Sequence, residues 1–138
     1  MRNVNQIEFR LKSFKRGFHL ITEEVIKNIS PLPETGLLHL FIKHTSAGLA
    51  INENCDPDVL TDFNHFFDNM VPENLTYLRH TLEGPDDMPA HIKSVITGHS
   101  ITIPITNHYL NLGTWQGIYL CEFRNNATGR VLVATILS

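Results

Sequence analysis

The segment from residue 77 to residue 91 is the densest in side chains that are suited to catalysis or metal binding. Its imidazoles and carboxylates are His80, His91, Glu83, Asp86 and Asp87. Gly-Pro and Met-Pro pairs restrict the backbone here, so the polar side chains can be aimed at one point. Alternatively, the segment is a loop of solvated acids in which Asp86 or Asp87 caps the next helix. Capping occupies one carboxylate and leaves the others without a structural role.

His44 and Glu53 each continue an apolar row at the end of a predicted strand. His44 shares a strand face with residues 38, 40 and 42, and Glu53 shares one with residues 49 and 51, because side chains alternate with a period of two. We expect these strands to form a hairpin that turns through residues 45–48. A polar group in such a row is either functional or satisfied by nearby backbone, and both interpretations remain open at this point.

Together these residues predict a metal site. His44, His80 and His91 supply three imidazoles, a number that suits zinc or another first-row metal, although their spacing matches no signature such as HExxH. Glu53 or Asp87 then acts as a general base or orients a metal ligand. In the alternative, His80 is exposed on its loop and His91 lies on a helix surface.

A second candidate region runs from Leu112 to Arg124. Trp115 and Gln116 lie between two glycines, which permit a turn or a close backbone approach. The indole offers a flat face for a heteroaromatic ring, and the alternative is a core tryptophan at a sheet corner. Glu122 and Arg124 share a face of the following strand. They pair with each other there, or Arg124 holds a phosphate through two hydrogen bonds.

Strands and short helices must position these side chains. Strands are predicted at 7–11, 18–21, 37–43, 49–51, 100–105, 117–123 and 130–137. Three helices are predicted: from Thr22 to before Pro31, from the cap Asp56 and Pro57 to Met70, and over 89–96 with Gly98 as its end. An aromatic stripe on the second helix should pack on the sheet. This pattern is typical of an α+β protein with a largely antiparallel sheet.

Composition excludes several classes of protein. The 138 residues are 42% hydrophobic and 18% charged, and the net charge of -3 comes with basic residues that are scattered along the chain. A nucleic-acid surface would show clustered Lys and Arg, so we expect no nucleic-acid partner. No apolar run approaches the roughly 20 residues of a membrane span. The N-terminus has no apolar signal core, which favours a cytoplasmic location.

Four stretches of the sequence resemble the YjbQ-like family. They are HTSAGLAINENCDPDV (44–59), RHTLEGPDDMPAHIKS (79–94), ITGHSITIPI (96–105) and LGTWQGIYLCEFR (112–124). The resemblance implies one domain over 1–138, a small two-sheet β-sandwich in the order ββαββαβββ with helices packed on it. It also implies a homotrimer and a weak thiamine phosphate synthase activity. That reaction joins a pyrimidine pyrophosphate to a thiazole phosphate and releases pyrophosphate.

The chain departs from the family pattern in two places. Family members usually read EHR where this chain has EFR at 122–124. They usually carry a glycine and a basic residue where it has HY at 108–109. Any contribution of the missing motif histidine is therefore absent, unless His99 or His108 replaces it.

Three functions are compatible with these residues and this resemblance. The candidates are catalytic Glu53, Asp87 and Glu122, substrate-binding Trp115, Gln116, Arg124 and Lys93, and metal-binding His44, His80 and His91. In a transferase, Asp86 and Asp87 hold Mg²⁺, while Arg124, Lys93 and a helix N-terminus meet phosphate. In a metal-dependent hydrolase or metabolite-repair enzyme, the histidines bind zinc and Glu53 is the base. The third alternative is a non-catalytic trimeric protein that binds a metal or a small phosphorylated or heteroaromatic metabolite.

Overall fold

Two antiparallel sheets pack face to face in the computed structural model, which describes residues 3–138. The larger sheet contains, in spatial order, β1 (Val4–Arg10), β8 (Val131–Leu137), β3 (Thr35–Ile42), β5 (Ser100–Thr106) and β6 (Tyr109–Leu110). The smaller sheet contains β2 (Gly17–Leu20), β7 (Gln116–Glu122) and β4 (Ala47–Glu53). The helices are α1 (Thr22–Ile29), α2 (Pro57–Met70) and α3 (Asp87–Thr97).

The main core lies between the two sheets. Period-two alternation turns one apolar row of each strand inward, and the fully buried members include Leu38, Leu40, Ile42, Leu49, Ile118 and Leu120. Val25 and Ile29 of α1 join the same core. Each such side chain stabilises the fold by about 1.5–3 kcal/mol relative to an exposed one.

A second cluster lies on the other face of β7 and is mainly aromatic. Its rings are those of Phe18, Phe63, Phe67, Tyr119 and Phe123. Because β7 is covered on both faces, it is buried from its second residue to its last. The predicted stripe on α2 packs in part, since Phe66 and Met70 are exposed.

The predicted α+β class and two-sheet architecture are confirmed. The element order differs from ββαββαβββ by one more helix, α3, and by the two-residue strand β6. Local signals place the helix ends correctly: Asp56 Oδ1 accepts a hydrogen bond from the Asp58 amide at 2.9 Å, and Gly98 ends α3 with a φ of 90°.

The predicted hairpin over residues 37–51 is wrong. β3 pairs with β5 and β8, whereas β4 pairs with β7 in the other sheet. The short link 43–46 therefore crosses between the sheets, and the two apolar rows face each other instead of lying side by side. Within residues 3–138, no helix is both long enough and apolar enough to cross a bilayer.

Candidate metal centre

Arg124 fixes the loop that leads into α3. Its guanidinium donates to Asp86 Oδ2 at 2.9 Å, to Asp87 Oδ1 at 2.6 Å and to the Glu83 carbonyl at 3.0 Å. Gly84 has a φ of 107°, which lets the chain turn between these acceptors. The cation that was predicted to bind phosphate is thus engaged by protein acceptors, and it holds the carboxylates in place.

Asp86 occupies the N-cap position of α3 without capping the helix. Its side chain makes no hydrogen bond to the first turn. Instead Oδ2 accepts from Arg124 Nε and from the Asn125 amide, both at 2.9 Å. The expected capping carboxylate is therefore used to join α3 to the end of β7.

His80, Asp87 and His91 bring one ligand atom each to a single point. Asp87 Oδ2 lies 2.7 Å from His80 Nε2 and 3.2 Å from His91 Nε2, and the three atoms lie within 4.8 Å of one another. Asp87 and His91 are one turn apart, so they share a face of α3. His80 comes from the preceding loop, and its side chain is 49% exposed.

The hydrogen bonds of His91 determine which of its nitrogens faces Asp87 with a lone pair. Nδ1 lies 2.8 Å from the carbonyl oxygen of Thr45, which can only accept, so Nδ1 carries a proton. In the neutral ring, Nε2 is then an acceptor, and it faces the carboxylate oxygen of Asp87 at 3.2 Å. Two acceptors at this distance repel each other unless a second proton or a metal cation lies between them.

Asp87 is held in its ionised form. It is only 1% exposed. Burial alone would raise the pKa of its carboxyl group, but the hydrogen bond from His80 and the positive charges of His91 and Arg124 lower that pKa below its ordinary value. One oxygen is fixed by Arg124, and the other is directed at the two imidazoles.

The spacing of these atoms suits a small divalent ion. Zinc bonds of about 2.0–2.1 Å at tetrahedral angles place ligand atoms about 3.4 Å apart. The separations of 2.7 and 3.2 Å need to open by less than about 1 Å to reach that value, and the two imidazole nitrogens, which lie within 4.8 Å of each other, need to be brought to it as well. His80 is the ligand that is most exposed to solvent.

His44 lies beside this group without contributing an atom to it. Its ring is half-buried where the chain crosses between the sheets, and Nε2 accepts a hydrogen bond from the Val131 amide at 2.8 Å. His44 and His91 line the same cleft. The structure therefore brings His91 and His80 together with Asp87, and it places His44 at the adjoining surface.

Glu53, Trp115 and Gln116 lie at the opposite end of the smaller sheet. In the β4–β7 ladder Glu53 pairs with Gln116, whereas Ala47 pairs with Glu122 at the histidine end. Strand residues are about 3.3 Å apart, so the two ends are about 20 Å apart. The predicted convergence of Glu53 with the histidines does not occur within one chain, because it depended on the hairpin that is not formed.

Two further candidates are buried in ion pairs. Lys93, predicted to bind substrate, is 1% exposed and donates to Asp68 Oδ1 of α2 at 2.7 Å. Glu122, predicted to be catalytic, is fully buried and accepts from Arg130 Nε at 2.7 Å and Nη2 at 2.5 Å. In this structure both residues join elements of the fold and have no contact with a substrate site.

Arg130 was not among the predicted site residues, although it supports the site. Its Nη2 also donates to Ser46 Oγ at 3.0 Å and to the Ser46 carbonyl at 3.2 Å. This anchors the residue next to Thr45, whose carbonyl orients His91. A sequence signal did exist: Glu122 continues a core row, and a buried carboxylate requires a cation.

Comparison with known proteins identifies relatives along nearly the whole chain. A family model described as UPF0047 protein YjbQ-like matches residues 6–138. UPF0047 protein YjbQ of Salmonella typhimurium is 52% identical over 123 residues, which cover 88% of this chain and 88% of the relative.

Solved structures share the same fold. A conserved hypothetical protein from Thermus thermophilus is 33% identical, with a TM-score of 0.81 over 92% of this chain and 97% of its own. A YbjQ-like protein of unknown function from Sulfolobus solfataricus P2 gives a TM-score of 0.87 over 100% of this chain and 99% of its own. At 20% identity, the second likeness shows the fold alone.

Proposed function

The chain belongs to the UPF0047 YjbQ-like family, and we propose that its His80, Asp87 and His91 bind one divalent transition-metal ion that serves hydrolysis of a small molecule. The observation that carries this proposal is the convergence of three ligand atoms, with His80 Nε2 2.7 Å and His91 Nε2 3.2 Å from Asp87 Oδ2. A divalent cation held by these three atoms would offset the negative charge of Asp87 and accept a lone pair from each imidazole.

The donor set favours zinc over magnesium. Two imidazole nitrogens suit zinc and other first-row metals, whereas Mg²⁺ prefers oxygen ligands and retains several waters. The oxygens that would have served Mg²⁺, on Asp86 and on the Arg124 side of Asp87, are engaged by the guanidinium. A site with three protein ligands leaves a position open, which is typical of catalytic zinc.

Contacts behind the ligands support the same function. The Thr45 carbonyl fixes the tautomer of His91, and Arg124 fixes the carboxylate of Asp87. Metal ligands in proteins are commonly oriented by such partners. When bound, the metal supplies an activated water or polarises a carbonyl oxygen.

Nothing in the geometry favours the thiamine phosphate transferase. Of its predicted phosphate-binding cations, Lys93 is buried against Asp68 and Arg124 is engaged by Asp86 and Asp87. The homotrimer that the resemblance implies stays a prediction.

Zinc titration with a competing chelator tests the site. We expect the unaltered chain to bind one equivalent, and His80→Ala and His91→Ala each to weaken binding by more than about 100-fold. Loss of a supporting residue alone typically costs about 10–100-fold, so loss of a ligand should cost more. His65→Ala on the exposed surface of α2 is the matched control and should change affinity by less than about 2-fold.

Two results would contradict the proposal. One is zinc binding that is no weaker in the His80→Ala, His91→Ala double variant, provided that circular dichroism shows it folded. The other is metal binding without metal-dependent hydrolysis of any ester or phosphoester. The latter result would leave the binding site standing and remove its hydrolytic role.

A further inference from the structure

A cleft of about 430 Å³ adjoins the metal centre. It is lined by His44, Thr45, His91, Ser94, Val95, Gly98 and His99. His91 belongs both to this cleft and to the proposed metal site. A molecule in the cleft therefore lies against one of the proposed metal ligands.

The cleft offers no charged partner for an anionic substrate. In the described part of the chain, none of its lining residues is Lys, Arg, Asp or Glu. The basic residues behind it are paired, Arg130 with Glu122 and Lys93 with Asp68. A phosphate or carboxylate placed here would form no ion pair with the walls of the cleft and would meet a positive charge only at the metal, so the walls favour an uncharged group.

His44 presents a neutral hydrogen-bond donor at the wall of the cleft. Since Nε2 accepts from the Val131 amide, the proton of the neutral ring is on Nδ1. Burial, followed by the positive charges of Arg130 and Arg10, lowers the pKa of His44. The ring thus remains neutral at pH 7 and still has one N–H to donate.

From this arrangement we propose that the cleft binds the uncharged acyl group of a carboxylic ester and that His44 donates from Nδ1 to the carbonyl oxygen during its hydrolysis. Water adds to the carbonyl carbon, the acyl C–O bond breaks, and its electron pair leaves with the alcohol oxygen. That oxygen takes a proton from the water, so the products are a carboxylic acid and an alcohol. The inference rests on the proposed metal site and adds its substrate class.

A donor in this position stabilises the negative charge that develops on the carbonyl oxygen. Removal of one such donor typically lowers the rate about 10²–10³-fold. Because His44 contributes no atom to the group of His80, Asp87 and His91, its loss should leave zinc affinity nearly unchanged. This separation of rate from metal affinity distinguishes a donor to the substrate from a merely structural residue.

The experiment uses the zinc-loaded full chain with p-nitrophenyl acetate and p-nitrophenyl phosphate as probes. Each rate is expressed relative to the same zinc concentration without protein, and the His80→Ala, His91→Ala background is subtracted. We expect enhancement for the acetate and little for the phosphate. His44→Ala should lower kcat/KM for the acetate by about 100-fold, and His65→Ala, on the exposed surface of α2, by less than about 3-fold.

Several outcomes would overturn the inference. They are a larger enhancement for the phosphate, no metal-dependent ester hydrolysis, or an unchanged rate in folded His44→Ala. The comparison of the two probes does not use His44→Ala, so it decides even if that variant fails to fold. Absence of zinc binding in the unaltered chain defeats the metal site itself, and it is seen in the titration before any substrate is added.

Discussion

The two ends of the β4–β7 ladder are both rich in polar side chains, but these are engaged differently. At the histidine end, Glu122 and Asp87 are buried, and each is paired with an arginine, 8 residues away for Glu122 and 37 residues away for Asp87. At the tryptophan end, Glu53 and Gln116 bond to backbone amides three residues away, at Asp56 and Gly113.

The polar groups at the histidine end join separate elements of the fold, whereas Glu53 and Gln116 at the tryptophan end stabilise local turns. The bonds of Glu53 and Gln116 stabilise turns and leave Trp115 64% exposed. Those of Arg124 connect α3 to β7, and those of Arg130 connect the two sheets. Both ends have clefts of similar size, about 430 and 480 Å³. Cleft volume therefore does not distinguish the ends, whereas the partners of their carboxylates do, an arginine at one end and a backbone amide at the other.

The largest effect that tests this comparison is expected for Arg130→Met. It leaves Glu122 buried without its cation, and breaking a buried pair in this way costs about 3–5 kcal/mol of unfolding free energy. The Glu122→Met, Arg130→Met double variant should recover most of the loss, because it removes both charges. Urea denaturation measures all three proteins.

Glu53→Gln at the other end is the matched control for that series. It retains an oxygen that can accept from the Asp56 amide, so we expect a change within about 0.5 kcal/mol. If Arg130→Met lost no more than Glu53→Gln, the two ends would be energetically equivalent and the comparison would fail.

The features that the sequence predicted correctly, helix ends and strand alternation, depend only on residues close by in the chain. Asp56 with Pro57 starts α2, and Gly98 ends α3, because capping requires only the adjacent turn. The inward row of Leu38, Leu40 and Ile42 was also correct, since strand alternation is local, whereas His44 follows that row in the link between the sheets.

What the sequence did not predict depends on partners far along the chain. A four-residue link between apolar strands is equally compatible with a hairpin and with a crossing between sheets, and the choice rests on the pairing of β4 with β7. Lys93 and Glu122 looked available for substrate because Asp68 and Arg130 could not be assigned to them. Asp87 was predicted as a base or, with Asp86, as a magnesium ligand, and the geometry instead groups it with two imidazoles because His80 folds back onto it.

Low pH should reduce the contribution of the histidine end of the ladder to the unfolding free energy. We expect this effect to be smaller than that of Arg130→Met. At Asp86, burial alone would raise the carboxyl pKa, but bonds from the Asn125 amide and Arg124 lower it below its usual value. The pKa of Asp87 is lowered as well. The unfolded chain therefore takes up protons first as pH falls below about 4. The stability that both carboxylates provide is present above that pH and is lost as pH falls towards their folded-state pKa values.

The measurement is the unfolding free energy of the metal-free chain between pH 6 and pH 3. We expect a decline below about pH 4 and a shallower decline in Asp86→Asn, which has one fewer carboxylate to protonate. An equally steep decline in that variant would show that acid sensitivity arises elsewhere in the chain.

The smallest effect is expected for Trp115→Ala, and it tests whether the two ends work independently. Trp115 is 64% exposed, and its ordered contact is a backbone one, in which its carbonyl accepts from the Asn54 amide at 2.9 Å. The substitution retains that carbonyl, so unfolding free energy should change by about 0.5 kcal/mol or less. Zinc affinity should change by less than about 2-fold, because the indole lies about 20 Å from the ligand atoms along the strand.

A larger loss of zinc affinity or of ester hydrolysis in folded Trp115→Ala would mean that the ends act together. Within one chain the ladder keeps them apart, so such coupling would require the tryptophan of one copy to approach the histidines of another. The predicted homotrimer could bring them together, and the same variant measured at protein concentrations above and below assembly would then separate the two explanations.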